Sequence, residues 1–456
     1  MFLLSILAYL LFFTLLFLVL KGDREQQLLA LLLVNILFYI NIGLIEKPEL
    51  TPYQLLPYLF FAKEVFFNFH QFRKQITSFP IKFGLGFILL AYFATTWSNG
   101  GNLHDYYEAF RYCFDKYVPI IAVFICAKEV EEKSLVRHLF LFFLIFCGLG
   151  FVEYLLNYNY VREAIATAFP STRVPDMFGP AGITNGFGSS GWRTRISITT
   201  KHPTVLGAVL STMFLFSLSY LKVSKNQYNI RKRNFVLFFI AFTAILSGSR
   251  TAMGCIGLGF LIYFTISLSF KKKLLAIIIY AIAFYGLSSA ATTVFSQKEG
   301  GSSLEMRQQQ LLFTVIEFAN KPLFGHGLYY TNHTILASDD EGKRVNFEKE
   351  ETQGLESIVF YALLDIGLFG ILALSIFYGQ IFLYFFKHRK ECHRQAMQGM
   401  LETSMLVLFL ILSGEIGRNT EICLLFIGTS LGLLQKELYT KAEINVSQKS
   451  GDSESE

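Results

Sequence analysis

The sequence predicts an all-α polytopic membrane protein, with about 12 transmembrane helices (11–13) and two large polar loops. Three observations carry this. Of 456 residues, 53% are hydrophobic and only 16% are charged, whereas soluble domains carry about 25% charged residues. Phe alone occurs 49 times. The apolar runs are long enough for helices, which close their backbone hydrogen bonds within one segment, and too long for barrel strands.

The first run, "MFLLSILAYLLFFTLLFLVL", has no basic stretch ahead of it and no small-residue cleavage site, so it reads as a retained span. Further spans are expected near 27–45, 82–98, 117–131, 137–157, 203–221, 234–248, 252–270, 273–291, 356–386, 398–415 and 420–435. The span 356–386 is long enough to bend at Gly367 or Gly370. The stretch 52–70 is aromatic and long, yet Lys63 and Glu64 sit in its middle; it is either an interfacial helix or a further span. This divides the chain into N-terminal transmembrane helices (1–157), a loop (158–202), a second set of helices (203–291), a larger loop (292–355), C-terminal helices (356–436) and a polar, disordered tail (437–456).

The formal charge of +6 does not point to nucleic acid, because in a membrane protein the place of the charge matters more than its sum. "LKVSKNQYNIRKRN", "KKK" at 271–273 and "KHRKECHR" are short basic loops and read as cytoplasmic. Both large loops, the turn at Ser249–Arg250 and the turn at Arg418 then face the opposite side. An even number of spans puts the N-terminus inside, and a crossing by 52–70 moves it outside. The six cysteines are scattered, four of them inside apolar runs, with no spacing for a metal or a disulfide framework. They read as small apolar core residues.

The stretch "ILSGSRTAMG" puts Arg250 between two apolar runs. A mid-bilayer arginine costs roughly 2.5–3.5 kcal/mol on insertion scales, so an arginine there is a functional candidate. The topology sets Arg250 at the outer end of a helix, among small residues that leave room for a ligand. The loop "MFGPAGITNGFGSSGWRTRISITTKHPTVLG" adds Arg193, Arg195, Lys201 and His202, and Pro203 suits the first turn of the next helix. Arginines beside a helix N-terminus form an anion-binding arrangement.

In the second loop, Ser303 to Phe318 has helical periodicity and carries Arg307; "PLFGHGL" reads as a turn holding His326, with His333 beyond it. Glu356 stands at the outer edge of the next apolar run, where an ionisable group is a functional candidate. Asp365 reads as a paired or helix-stabilising residue, and Arg418 with Glu415 as a structural ion pair. The loops show no metal-binding pattern, and no cofactor is expected.

"LSGSRTAMGCIGLGFLIYF", then "EMRQQQLLFTVIEFANKPLFGHGL", then "ESIVFYALLDIGLFGIL", together with the many spans, resemble the O-antigen ligase/polymerase superfamily. The resemblance covers roughly 203–386. It implies a GT-C-like enzyme of the bacterial cytoplasmic (inner) membrane, with both large loops periplasmic. Such an enzyme transfers undecaprenyl-diphosphate-linked oligosaccharide without a metal or a nucleotide sugar. Its implied partners are that lipid-linked glycan, membrane lipids, a chain-length regulator and a flippase. The ligase branch carries a histidine in a pattern like "HNxYLxxLxExGLxG"; Glu356 stands at that position here, which favours a polymerase. By this resemblance Arg250 and Arg195 hold the diphosphate, with Arg193 as the alternative to Arg195. Glu356 is the candidate general base, with His326 or His333 as alternatives, while Arg193, Arg307, His333 and Lys201 are candidates for substrate binding. A ligase is the nearest rival reading, and a glycolipid flippase or exporter is the rival from another class. Against the second, no internal repeat is visible and the distinctive charges gather at one face.

Overall fold

Helical segments of 8 to 35 residues, mostly apolar, form the described part of the molecule as a bundle. The computed structural model describes residues 2–38, 45–46, 49–168, 195–200, 202–222, 230–265, 269–295, 303–331, 357–414 and 418–453. In chain order the first helices are α1 (Phe2–Lys21), α2 (Arg24–Leu37), α3 (Pro52–Phe67), α4 (Phe69–Thr77), α5 (Lys82–Ser98), α6 (Leu103–Tyr117), α7 (Pro119–Glu129), α8 (Glu132–Leu156) and α9 (Tyr160–Ala168). There follow α10 (Pro203–Leu218), α11 (Ile230–Leu246), α12 (Arg250–Thr265), α13 (Phe270–Phe295), α14 (Ser303–Asn320), α15 (Ile358–Asp365), α16 (Gly367–Lys387), α17 (His393–Ser413) and α18 (Asn419–Ser453). The strands β1 (Ile45–Glu46) and β2 (Glu49–Leu50) form a two-residue antiparallel ladder that pairs Ile45 with Leu50. Helix starts follow the sequence: Asp23 accepts from the Gln26 N–H, Asn102 from the Asp105 N–H, and Pro119 and Pro203 open their helices.

Among the described residues, five helices are long and apolar enough to cross a membrane: Leu3–Lys21, Glu132–Leu156, Gly367–Lys387, His393–Ser413 and Asn419–Ile444. The molecule is therefore a membrane protein, but the expected dozen full-length spans is met only in part. The helices Pro203–Leu218 and Arg250–Thr265 are apolar and shorter, at 16 residues each. A 16-residue helix such as α10 rises about 24 Å, against a hydrocarbon core of about 30 Å. At the other end of the chain, α18 continues as helix through Ser453, past the 436 boundary read from the sequence.

Polar contacts gather at the two ends of the bundle. At one end Arg24 grips Glu64 through both Nη atoms, at 2.7 and 3.0 Å, and reaches Glu129 through Nε at 3.1 Å. Glu25 accepts from Ser134 at 2.8 Å and lies 2.7 Å from His138 Nδ1. Tyr220 and Arg394 both donate to Glu132. The basic loops read as cytoplasmic adjoin this end through Arg233 and Arg394. At the opposite end lie Arg195, the Ser249–Arg250 turn, Arg418 and the start of α3, where Gln54 donates to Asp115 at 2.6 Å and Tyr53 lies under Arg418.

Helix α3 runs from the Arg195 end, at Tyr53, to the Arg24 end, at Glu64, and is not among the described helices that are long and apolar enough to cross a membrane. Glu64 is tolerated in mid-sequence because it is fully buried against the Arg24 guanidinium. The chain then turns along the Arg24 end in α4, where Gln71 and Gln75 donate to Glu129, and bends by 88° into α5. The course of α3 puts the N-terminal end of α1 at the Arg195 end, where Tyr9 donates to the Ala168 carbonyl.

The long span expected at 356–386 is broken at Ile366. Gly367 has φ 65°, and the turn that follows α14 fills the break. His326 and Gly327 donate their N–H groups to Leu364 O and Asp365 O at 2.8 and 3.0 Å. Leu368 and Phe369 donate theirs to Pro322 O and Leu323 O at 2.9 and 3.0 Å. Each side satisfies the backbone groups that the other exposes. A Cβ on Gly367 would stand 2.5 Å from Leu323 O. We expect Gly367→Ala to lower stability by at least about 1–2 kcal/mol, the cost of a side chain in left-handed backbone. Gly379→Ala in the same helix, which meets nothing within 4 Å, should melt within about 0.5 kcal/mol of wild type. Thermal unfolding in detergent compares the two.

Candidate functional site

The site is built on the outward end of α8. Gly150 there leaves space for two isoleucines: a Cβ on it would lie 2.9 Å from Ile198 Cδ1 and 3.1 Å from Ile196 Cδ1. Three residues on, and so on the same face, Glu153 accepts the Ser197 N–H at 3.0 Å on Oε1 and the Ile198 N–H at 2.7 Å on Oε2. Asn159 donates to Ile198 O at 2.6 Å, and Thr199 donates to Ile36 O at 2.6 Å. Residues Ser197–Thr200 form a β-turn closed by the Thr200 N–H on Ser197 O at 2.9 Å. Its second residue, Ile198, has φ 52°. That region suits Gly or Asn, and a β-branched residue there holds strain of about 1–3 kcal/mol.

Arg195 leads into this turn. Its Nε donates to Ser247 O at 2.8 Å. The side chain lies across Gly248, which has φ 63° and whose missing Cβ would stand 2.9 Å from that Nε. Two residues further, Arg250 opens α12 with its side chain exposed. Ser249 caps the helix through the Ala252 N–H at 3.3 Å. Helices α10 and α12 meet tightly here, because a Cβ on Gly207 would be 2.7 Å from Ser249 Cβ and from Ala252 Cβ. Thr251 accepts from Ser413 at 2.6 Å and ties the turn to the end of α17. Burial, and then the Arg250 charge, push the Arg195 guanidinium down to about 10. It keeps its proton at neutral pH, next to a like charge and a helix N-terminus. An anion bound between them relieves that repulsion.

His326 occupies a different corner of the same end. Its ring stacks on Tyr330 at 4.2 Å, and Nε2 lies 3.0 Å from Glu317 O. Tyr330 donates to Glu317 Oε2 at 3.1 Å. Asp365, read from the sequence as a paired residue, accepts the Thr331 N–H at 3.0 Å and the Thr331 hydroxyl, next to Tyr329 with φ 64°. Asn99 and Lys321 close this corner, Asn99 donating to Gly325 O at 3.1 Å. Arg418 is stacked 3.3 Å above the Tyr53 ring, and its Nε lies 3.8 Å from Glu421 Oε1.

Of the residues singled out from the sequence, Arg195 and Arg250 come together, and His326 shares their end of the bundle. Arg193, Lys201, His333, Glu356 and Glu415 lie outside the described residues. Arg307 falls in the first turns of α14, and its side chain is outside them too. Among the described residues no group of three or more His, Cys, Asp or Glu side chains is arranged for a metal ion. All six cysteines are buried and free, as core residues. Sequence reading passed over Glu153 and Asn159. The one available signal was an acidic residue close to the end of a long apolar run.

Inorganic pyrophosphate is expected to raise the unfolding temperature of the wild-type protein in detergent. At a hundred times its dissociation constant the gain is about 2.7 kcal/mol by mass action. Arg195→Ala and Arg250→Ala should each lose most of it. An equal shift in all three proteins would put the anion elsewhere. Gly248→Ala, which drives a methyl group into Arg195, should behave like Arg195→Ala.

A family model described as O-Antigen ligase matches residues 235–375, from α11 into α16, a stretch that holds Arg250, His326 and Asp365. No curated protein matches the chain. Over that stretch the chain is similar to the O-antigen ligase family, and the match leaves the ligase and polymerase branches undivided.

Proposed function

We propose that the protein is a polymerase of O-antigen or a related surface polysaccharide, which joins undecaprenyl-diphosphate-linked repeat units at the periplasmic face of the inner membrane. The observation that carries this reading is the Arg195–Arg250 pair at the start of α12, at the end of the bundle away from the basic loops. A hydroxyl of the incoming lipid-linked repeat attacks C1 of the sugar at the reducing end of the growing chain. The bond from C1 to the diphosphate oxygen breaks, and undecaprenyl diphosphate leaves with the electron pair. The guanidiniums meet that charge as it develops, in positions fixed beforehand by Ser247 O and the α12 cap. They are permanent cations that can bind phosphate oxygens in pairs.

The attacking hydroxyl must give up a proton. We assign its acceptor to Glu356, which precedes Ile358 by two residues in the sequence, at the position where the ligase pattern has histidine. His326 and His333 are the alternatives; the His326 ring is held between Tyr330 and Glu317. A chain-length regulator and a flippase are proposed as partners on the family resemblance alone. The family match fits equally a second reading, transfer of the finished glycan to lipid A-core by a ligase.

Glycan banding from a deletion strain separates these readings. A polymerase null leaves a single repeat on the acceptor, and a ligase null leaves full polymer on undecaprenyl diphosphate. Wild type should restore the ladder. Arg250→Ala should fail to do so, with transfer reduced by ~10²–10³-fold, the scale of losing one electrostatic stabiliser. Glu356→Ala should fail as well. Full ladders from both Arg250→Ala and Arg195→Ala would remove the core of the proposal.

A further inference from the structure

We infer that Glu153 is a positioning residue, whose carboxylate holds the strained Ile198 turn and so fixes where Arg195 meets the lipid diphosphate. The inference rests on the role given to Arg195 above. Glu153 offers one oxygen to each of two consecutive N–H groups. Both oxygens of a carboxylate accept, whereas a carboxamide of the same size accepts with one atom and donates with the other. The grip therefore depends on the acid, and shape alone does not supply it.

The path from Glu153 to Arg195 is short and stiff. Ile196, Ser197, Ile198, Thr199 and Thr200 are all buried. Ile198 keeps its left-handed backbone because its two neighbouring peptide groups are held: the N–H groups by Glu153, and its own carbonyl by Asn159. The Ile196 N–H reaches Leu246 O at 3.5 Å, close to the Ser247 carbonyl that receives Arg195. If the grip is released, the turn can relax to an ordinary conformation. Arg195, three residues before Ile198, then shifts against the Gly248 turn. Geometry at a reacting centre is sensitive to such shifts, and an error of about 1 Å can cost about 100-fold in rate.

A double-mutant cycle on purified protein with a defined lipid-linked repeat tests this. Glu153→Gln should lower transfer by up to about 100-fold and reduce the pyrophosphate-induced rise in unfolding temperature. In an Arg195→Ala background the same change should add nothing, because the group it positions is gone. Multiplying losses would overturn the inference and leave Glu153 as a stability residue. If Glu153→Gln does not yield folded protein, Asn159→Ala, which removes the bonds to Ile198 O, to Ser197 Oγ and from the Arg162 N–H but leaves the carboxylate, goes through the same cycle. It should show a smaller loss, again absent without Arg195, and a multiplying loss overturns the inference here too. Full activity in Arg195→Ala sinks the diphosphate role itself. An inactive Arg195→Ala beside an undiminished Glu153→Gln sinks the positioning role alone.

Discussion

A loop packed against a membrane bundle must find partners for its backbone N–H groups away from bulk water, and here side-chain carboxylates supply them. Glu153 takes two from the segment that carries Arg195. Asp365 takes the Thr331 N–H from the segment that carries His326. Described non-glycine residues with positive φ number three, and two of them, Ile198 and Tyr329, belong to these segments. Strain of this kind persists only where the surroundings over-determine it. The same anchoring device, used twice, sets the geometry of the end of the bundle where the arginines meet.

The remainder of the bundle supports that end by close packing. Gly150 admits Ile196 and Ile198, and Gly207 lets α10 and α12 approach until Ser249 and Ala252 touch it. Rings from α8, α10 and α18 interlock, as Phe143, Phe216 and Phe426 show, with centroids 5.8–6.3 Å apart. The α15–α16 break is filled by the turn after α14, which fixes Asp365 and His326 relative to each other. The site is thus assembled from segments some two hundred residues apart, each held by short-range contacts.

Periodicity and punctuation made much of this legible in the sequence. The amphipathic stretch from Ser303, the bend at Gly367 and the position of Arg250 at a helix end all follow from local spacing, and all are present. What was illegible depends on partners distant in the chain. Lys63 and Glu64 argued against a crossing by 52–70, because nothing nearby neutralises Glu64; its partner is Arg24, 40 residues earlier. Glu153 drew no notice, because the N–H groups it holds lie 44 and 45 residues away.

The placing of α3 bears on the order in which the bundle packs. Glu64 follows the arginine that neutralises it by 40 residues in the chain. Burying either charge without the other leaves it uncompensated, which is costly where water is excluded. The Arg24–Glu64 contact therefore couples α3 to the α1–α2 hairpin: Glu64 can be buried only where Arg24 is already in place to receive it.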